Sequence, residues 1–304
     1  MKNVNAFIVG IGEILWDVFP TGKKLGGAPA NFAYHAAQFN KSDQFRPDSL
    51  VVSAIGYDND GSEIVRELEA HSLPYHLDRV PYPTGTVVAN ISDPNNPSYD
   101  IKTRVAWSHI PLTDELREIA SRTMAVCFGT LAQWGRESRN TILSFLDSCP
   151  KDCLKVCDIN LRQSYYTKTT IKECLRRADI LKLNEEELYI ITRLLDYKMA
   201  GEETLCRRLM GSYGIDTVIL TKGIHGSWIL WQVGTKKWKS FQPAPEVKVA
   251  DTVGAGDAFT GAFVGSLLNS LSIEQAHEVA AKVAAYVCTQ KGAMPEIPED
   301  LWSH

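Results

Sequence analysis

A mostly parallel β-sheet with helices on both faces, and a small β-sheet lid beside it, is the fold this sequence predicts. Three observations carry the prediction. Short apolar runs of strand length recur along the chain, each parted from the next by a helical or loop segment. Within each run the apolar residues are continuous rather than alternating, as in strands buried on both faces of a parallel sheet. Two segments break this rhythm and carry strand–turn–strand chemistry of their own.

Residues 6–10 read as the first buried strand, and 28–39, rich in small residues, as the helix after it. Residues 50–55 form the second strand, followed by a helix over 61–71. The runs 124–128, 154–157, 180–183 and 217–221 continue the series, an α/β alternation with a parallel sheet at its centre. Near the C-terminus Ile273, Ala276, Val279, Ala280, Val283, Ala284, Val287 and Cys288 recur at helical spacing, so this helix faces the core. The two exceptions cover about 12–25, with Phe19-Pro20-Thr21-Gly22, and 82–106, with Asp93-Pro94-Asn95-Asn96-Pro97. They read either as edge hairpins or as a lid over a pocket. No repeat or linker divides residues 1–304, so one domain with its lid is expected.

Composition excludes several function classes. The chain is 44% hydrophobic and 22% charged with a formal net charge of −4, which argues against nucleic-acid or membrane-surface partners. No apolar run approaches the ~20 residues that span a bilayer, and the N-terminus lacks signal-peptide character. Seven cysteines, mostly in apolar surroundings such as those of Cys127 and Cys288, suggest free thiols and a cytoplasmic location. Cys149, Cys153 and Cys157 have neither a CxxC spacing nor a nearby histidine to complete a zinc site.

The chemistry concentrates in Asp251-Thr252-Val253-Gly254-Ala255-Gly256-Asp257, which runs straight into an apolar helix. Free amides at a helix N-terminus and glycines that let the backbone approach an anion make a phosphate site. An adjacent acid could take a proton from an attacking hydroxyl. The same residues also suit a plain capped helix, with Gly261 and Gly265 serving close packing. No Walker loop occurs, and the dinucleotide fingerprint begun by Gly10-Ile11-Gly12 fails at Leu15.

Gly26-Gly27-Ala28-Pro29-Ala30-Asn31, Asn184-Glu185-Glu186-Glu187, Thr221-Lys222-Gly223-Ile224-His225-Gly226 and the 251–257 loop occur in an order that resembles the PfkB (ribokinase-like) carbohydrate kinases over nearly the whole chain. Residues 12–17, 128–133 and 158–162 look most like the fructokinase branch. The resemblance implies ATP-dependent phosphorylation of a sugar hydroxyl, fructose first, with Asp257 as base and the amides of the 254–257 loop (Gly254, Ala255, Gly256) as anion hole. It implies sugar contacts from Asp17, Gly26, Gly27, Asn31 and Arg104, and from Asn160 and Arg162 at a strand end. Asn184 and Glu187 would position Mg²⁺ and phosphates, Glu187 through water, although the same pair suits a helix capping box. Thr221, Gly223 and Gly226 match the adenosine-side loop, Gly292 and Ala293 the segment against adenine, and Asp251 and Val253 a monovalent cation site, K⁺ in many members. Lid sheets of the family often pair across a homodimer. Ribose, 2-keto-3-deoxygluconate or a nucleoside are alternative acceptors, and a non-catalytic sensor on the same fold is the alternative of another class. Trp107 reads equally as core packing.

Overall fold

The structure, a computed structural model, describes residues 6–20, 22–39, 47–90 and 98–301. Its first part runs β1 (Phe7–Ile11), β2 (Leu15–Phe19), β3 (Gly22–Gly26), α1 (Ala28–Gln38), β4 (Asp48–Ile55), α2 (Asn59–Ala70) and β5 (Tyr75–Arg79). Then come β6 (Gly85–Asn90), β7 (Ser98–Ile101), α3 (Asp114–Ser121), β8 (Thr123–Phe128), α4 (Arg136–Ser148), β9 (Leu154–Asp158), α5 (Lys168–Leu175) and β10 (Ile180–Asn184). The last part holds α6 (Glu185–Leu194), α7 (Glu202–Tyr213), β11 (Thr217–Thr221), β12 (Ser227–Val233), β13 (Lys236–Gln242), α8 (Ala255–Leu268) and α9 (Ile273–Cys288).

Nine of these strands form one sheet in the order β13-β12-β11-β10-β9-β8-β1-β4-β5. Every pair from β11 to β5 is parallel, and the pairs β11–β12 and β12–β13 are antiparallel, so β12 alone in this sheet is reversed. The strand alternation splits the core in two. Val9 and Ile11 of β1 join the layer filled by α3 to α7, while Ile8 joins the layer of α1, α8 and α9. The expected parallel sheet covered on both faces is therefore present. β5, β12 and β13 are strands beyond the expected series; β5 and β13 are largely exposed or half-buried, whereas β12 is mostly buried.

Helix α8 is buried continuously from Ala258 to Ser266, as expected of a helix apolar on all sides. It lies against α1 closely enough that a Cβ on Gly261 would sit 2.9 Å from the backbone nitrogen of Ala36. Gly261 and Gly265 thus do serve close packing, and that packing fixes the start of α8 against α1.

The second sheet has the order β3-β2-β6-β7. Both expected excursions contribute a pair of antiparallel strands, and the pairs join through β2 and β6, which run parallel. The turn residue Thr21 and the 93–97 turn fall outside the described residues.

Candidate active site

The parallel strands end at one edge of the large sheet, where open α/β sheets place their ligands. Helix α8 begins there. Gly254 caps it with φ 79°, a left-handed conformation that a side chain would oppose, and a Cβ at this position would lie 2.5 Å from the Cβ of Ala293. The next residues open the helix, so the amides of Ala255, Gly256 and Asp257 have no partners inside it. Asp257 stands in the first turn. Its Oδ2 accepts a 2.7 Å hydrogen bond from Nδ2 of Asn31, a buried residue of α1. Residues 226 positions apart in sequence thus meet at one carboxylate. Burial and the neighbouring Asp158 charge push Asp257 up to about 6, against the pull of Lys182, Asn31 and Arg162. A carboxylate so tuned is still ionised at neutral pH and is a better proton acceptor than an ordinary aspartate.

Beneath it lies a pair that the sequence reading did not single out. Asp158 closes β9 and Lys182 lies on β10, and the two are register partners in adjacent strands. Leu181 and Leu183 face the α3–α7 layer and Ile180 the other, so the alternation turns Lys182 toward α8. Its Nζ donates to Oδ2 of Asp158 at 2.9 Å, with both side chains buried. Desolvation lowers the lysine, but Asp158 and Asp257 outweigh it and hold Lys182 up at about 12, so it keeps its charge. A Cβ on Gly256 would lie 2.9 Å from that Nζ, which puts a fixed positive charge beside the start of α8. The available signal was a lysine inside an otherwise apolar buried strand, where an unpaired charge does not survive. Glu13, just past β1, is a third buried acid at the same edge.

The expected sugar-side residues gather above this cluster, with one exception. Asp17 is on β2 opposite Lys24 of β3, and a Cβ on Gly26 would strike its Oδ2 at 2.3 Å. Burial raises Asp17, while the charges of Arg162 and Lys24 lower it. Gly27 caps α1. Asn160 lines a narrow cavity with Asp257, and Arg162 is exposed, its charge felt by Asp17, Glu13 and Asp257. Arg104 is exposed in the turn after β7, and the charges acting on Asp17 do not include it. Trp107 is fully buried, in the α3–α7 layer of the core, so its role is packing.

On the other side, Asn184 and Glu187 form the capping box of α6. Oδ1 of Asn184 accepts from the amide of Glu187 at 2.9 Å, and Oε2 of Glu187 accepts from the amide of Asn184 at 2.8 Å. Oε1 of Glu187 also accepts from the amide of Leu161 at 2.8 Å, which ties the loop carrying Arg162 to the helix. Each oxygen keeps a lone pair free. That suits Mg²⁺ held through water and phosphates, since this ion keeps several waters and needs few carboxylates. Thr221 is the register partner of Asn184 on β11, and Gly223 and Gly226 bound the turn that follows. Gly292 and Ala293 sit beside Gly254. The carbonyl of Ala293 accepts from Nε2–H of His35 at 2.8 Å, and burial pushes that histidine down to about 4, so it stays neutral. Asp251 accepts from the amide of Val253 at 3.1 Å and pairs with Lys24 of the small sheet at 3.4 Å.

An ionised carboxylate beside the amides of a helix start, at the strand edge of a mostly parallel sheet, is the arrangement expected of a phosphate-transferring enzyme. The chain belongs to the pfkB family of carbohydrate kinases, whose family model matches residues 12–300. It is similar to an ATP-dependent 6-phosphofructokinase of Thermoanaerobacterium thermosaccharolyticum, 27% identical over 96% of this chain and 91% of the relative. A fructokinase of Klebsiella pneumoniae is 26% identical over 84% of this chain and 82% of its own length. Among solved structures, a fructokinase of Vibrio cholerae O395 bound to fructose, ADP and calcium superposes with a TM-score of 0.78 at 23% identity, covering 98% of both chains. No helix of the described residues is long and apolar enough to cross a membrane.

Proposed function

We propose that this carbohydrate kinase transfers the γ-phosphoryl group of ATP to a hydroxyl of fructose. The observation that carries the reading is the Asn31–Asp257 hydrogen bond, 2.7 Å long, which joins the sugar-side helix to the base at the mouth of the anion hole. Asp257 takes the proton of the acceptor hydroxyl. The hydroxyl oxygen bonds to the γ-phosphorus, the bond from that phosphorus to the β–γ bridging oxygen breaks, and ADP leaves. The amides of Ala255, Gly256 and Asp257, with Lys182 beside them, stabilise the charge on the transferring group, a reaction dominated by positioning and electrostatics. Asp17, Gly26, Gly27, Asn31, Asn160 and Arg162 hold the sugar. Thr221, Gly223, Gly226, Gly292 and Ala293 hold the nucleoside end. Asn184 and Glu187 hold Mg²⁺ through water, and the ion when bound neutralises phosphate charge. Asp251 and Val253 are the assignment for a monovalent cation such as K⁺.

A second reading keeps the chemistry and changes the acceptor to fructose 6-phosphate. It is favoured by the phosphofructokinase relative, and Arg162 and Lys24 are the charges available near Asp17 for a second phosphate. ADP release with MgATP across fructose, fructose 6-phosphate, ribose, 2-keto-3-deoxygluconate and nucleosides tests both. Fructose should give the highest kcat/KM. Turnover confined to another acceptor removes the fructose assignment, and turnover with none of them removes the kinase reading.

A further inference from the structure

Three buried oxygens at this strand edge have no hydrogen-bond partner among the described residues: Oε2 of Glu13, Oδ1 of Asn31 and Oδ1 of Asp158. Buried acceptors left bare are costly, so several in one place mark a spot where a donor belongs. Glu13 and Asp158 line a cavity of about 10 Å³ together with Asp257, Asn160, Cys127 and Thr260. That is room for about one water molecule. A water there can donate to the bare carboxylate oxygens. The ionisable groups that act on Glu13 are Arg162, Asp257 and Asp158, with Cys127 on the same cavity wall. Lys182 is already engaged with Asp158.

We propose that Glu13 receives, through one water in this cavity, the proton that Asp257 removes from the acceptor hydroxyl. The inference rests on the kinase reading above. The protonated Asp257 gives its proton to the water, and the water passes one of its own to a carboxylate oxygen of Glu13. Asp257 returns to the ionised state, the water is unchanged, and Glu13 ends neutral until the site opens. The order of proton affinities agrees with the direction. Burial pushes Glu13 up to about 7 and Asp257 up to about 6, so an ionised Glu13 holds the proton more firmly. Glu13 is a positioning residue that acts through Asp257, not a group that touches the sugar.

The test compares the full chain with Glu13→Gln and Glu13→Asp across a pH series. The acid limb of kcat/KM in the unsubstituted enzyme should need two ionisations, with a log–log slope approaching about two. Glu13→Gln should reduce it to one ionisation and lower kcat about tenfold, and Glu13→Asp should restore the second. A single ionisation in the unsubstituted enzyme overturns the proposal even where the Gln variant fails to fold, as do coincident limbs in the two proteins. Infrared difference titration of the free enzyme gives a reading without turnover. A carboxyl band that titrates near neutral pH and vanishes in Glu13→Gln is expected. ADP release without that band overturns the relay, whereas the band without acceptor-dependent ADP release overturns the kinase reading.

Discussion

The floor of the candidate site and the outer strand of the small sheet are held in opposite ways. The floor is tied by short bonds between buried groups far apart in sequence: Asn31 to Asp257, Lys182 to Asp158, and Leu161 to Glu187. The inner strands of the small sheet bury Leu15, Trp16, Val87 and Ile101 in the core, whereas its outer strand touches the rest through lysines. Lys23 pairs with Asp60 and Glu63 of α2, and Lys24 with Asp251, all partly exposed. Buried pairs leave an uncompensated charge when broken, while exposed pairs contribute little and are screened by salt. The difference separates two tasks. On the proposed function, the buried floor would keep Asp257 and the helix-start amides aligned, and the exposed lysine pairs of β3 would let the outer edge of the small sheet adjust around a sugar. Substitutions in the floor should therefore change kcat, and those in the lid should change KM.

The sharpest attempt to break this division is Asp257→Asn. It should lower kcat by at least about a hundredfold, the usual worth of a positioned base, with sugar binding by calorimetry little altered. Near-normal turnover would strip Asp257 of its role. Asn31→Ala should follow with a fall of about tenfold in kcat, since it removes a hydrogen bond that favours the ionised base. The sign can be followed in pH. The Asn31 bond lowers the proton affinity of Asp257, which stands at about 6, so its loss should move the acid limb of kcat/KM to higher pH. A limb that stays in place would mean that Asn31 serves the sugar alone.

The buried acids should also show in stability. Glu13 is raised from 4.5 to about 7, so folding favours its neutral form. Its ionisation costs stability progressively as pH rises from about 4.5 through 7, and the cost disappears below that window. Glu13→Gln removes it and should raise thermal stability at pH about 8 by on the order of 1–3 kcal/mol, with a smaller gain near pH 5. An equal gain at both values would point to packing rather than charge.

Much of this site was legible because its parts are contiguous motifs. The 251–257 loop, the Gly26–Asn31 turn and the Asn184–Glu187 box each fold locally, so order and spacing in the sequence carry them. Glu13, Asp158 and Lys182 were not legible in the same way. Their meaning arises from strand register and from the side of the sheet toward which each residue turns, which the chain alone does not state. Asp158 and Lys182 become partners only when β9 lies beside β10. The edge strand β13 escaped for another reason. Lys236, Lys237 and Lys239 leave β13 without the apolar run that reveals a buried strand, and the sheet admits it because an edge strand needs burial on neither side. The small sheet was visible in outline from its turn chemistry, which does not say where Arg104 points. Its place in sequence suggested a sugar contact, and the bend after β7 leaves it exposed.

Lys24→Ala probes the weak side of the comparison. The pair with Asp251 spans 3.4 Å, and the lysine is about half exposed. Its removal should change stability by less than about 1 kcal/mol, as for other surface pairs. It should leave kcat within about twofold and raise KM for the sugar by a few-fold, an effect that shrinks as salt is added because screening already weakens the pair. The same substitution bears on the acceptor. With fructose 6-phosphate the lost positive charge should raise KM further than with fructose. A large fall in kcat with KM unchanged would show that the lid helps to align the reacting groups, and the division between a rigid floor and an adjustable wall would not hold.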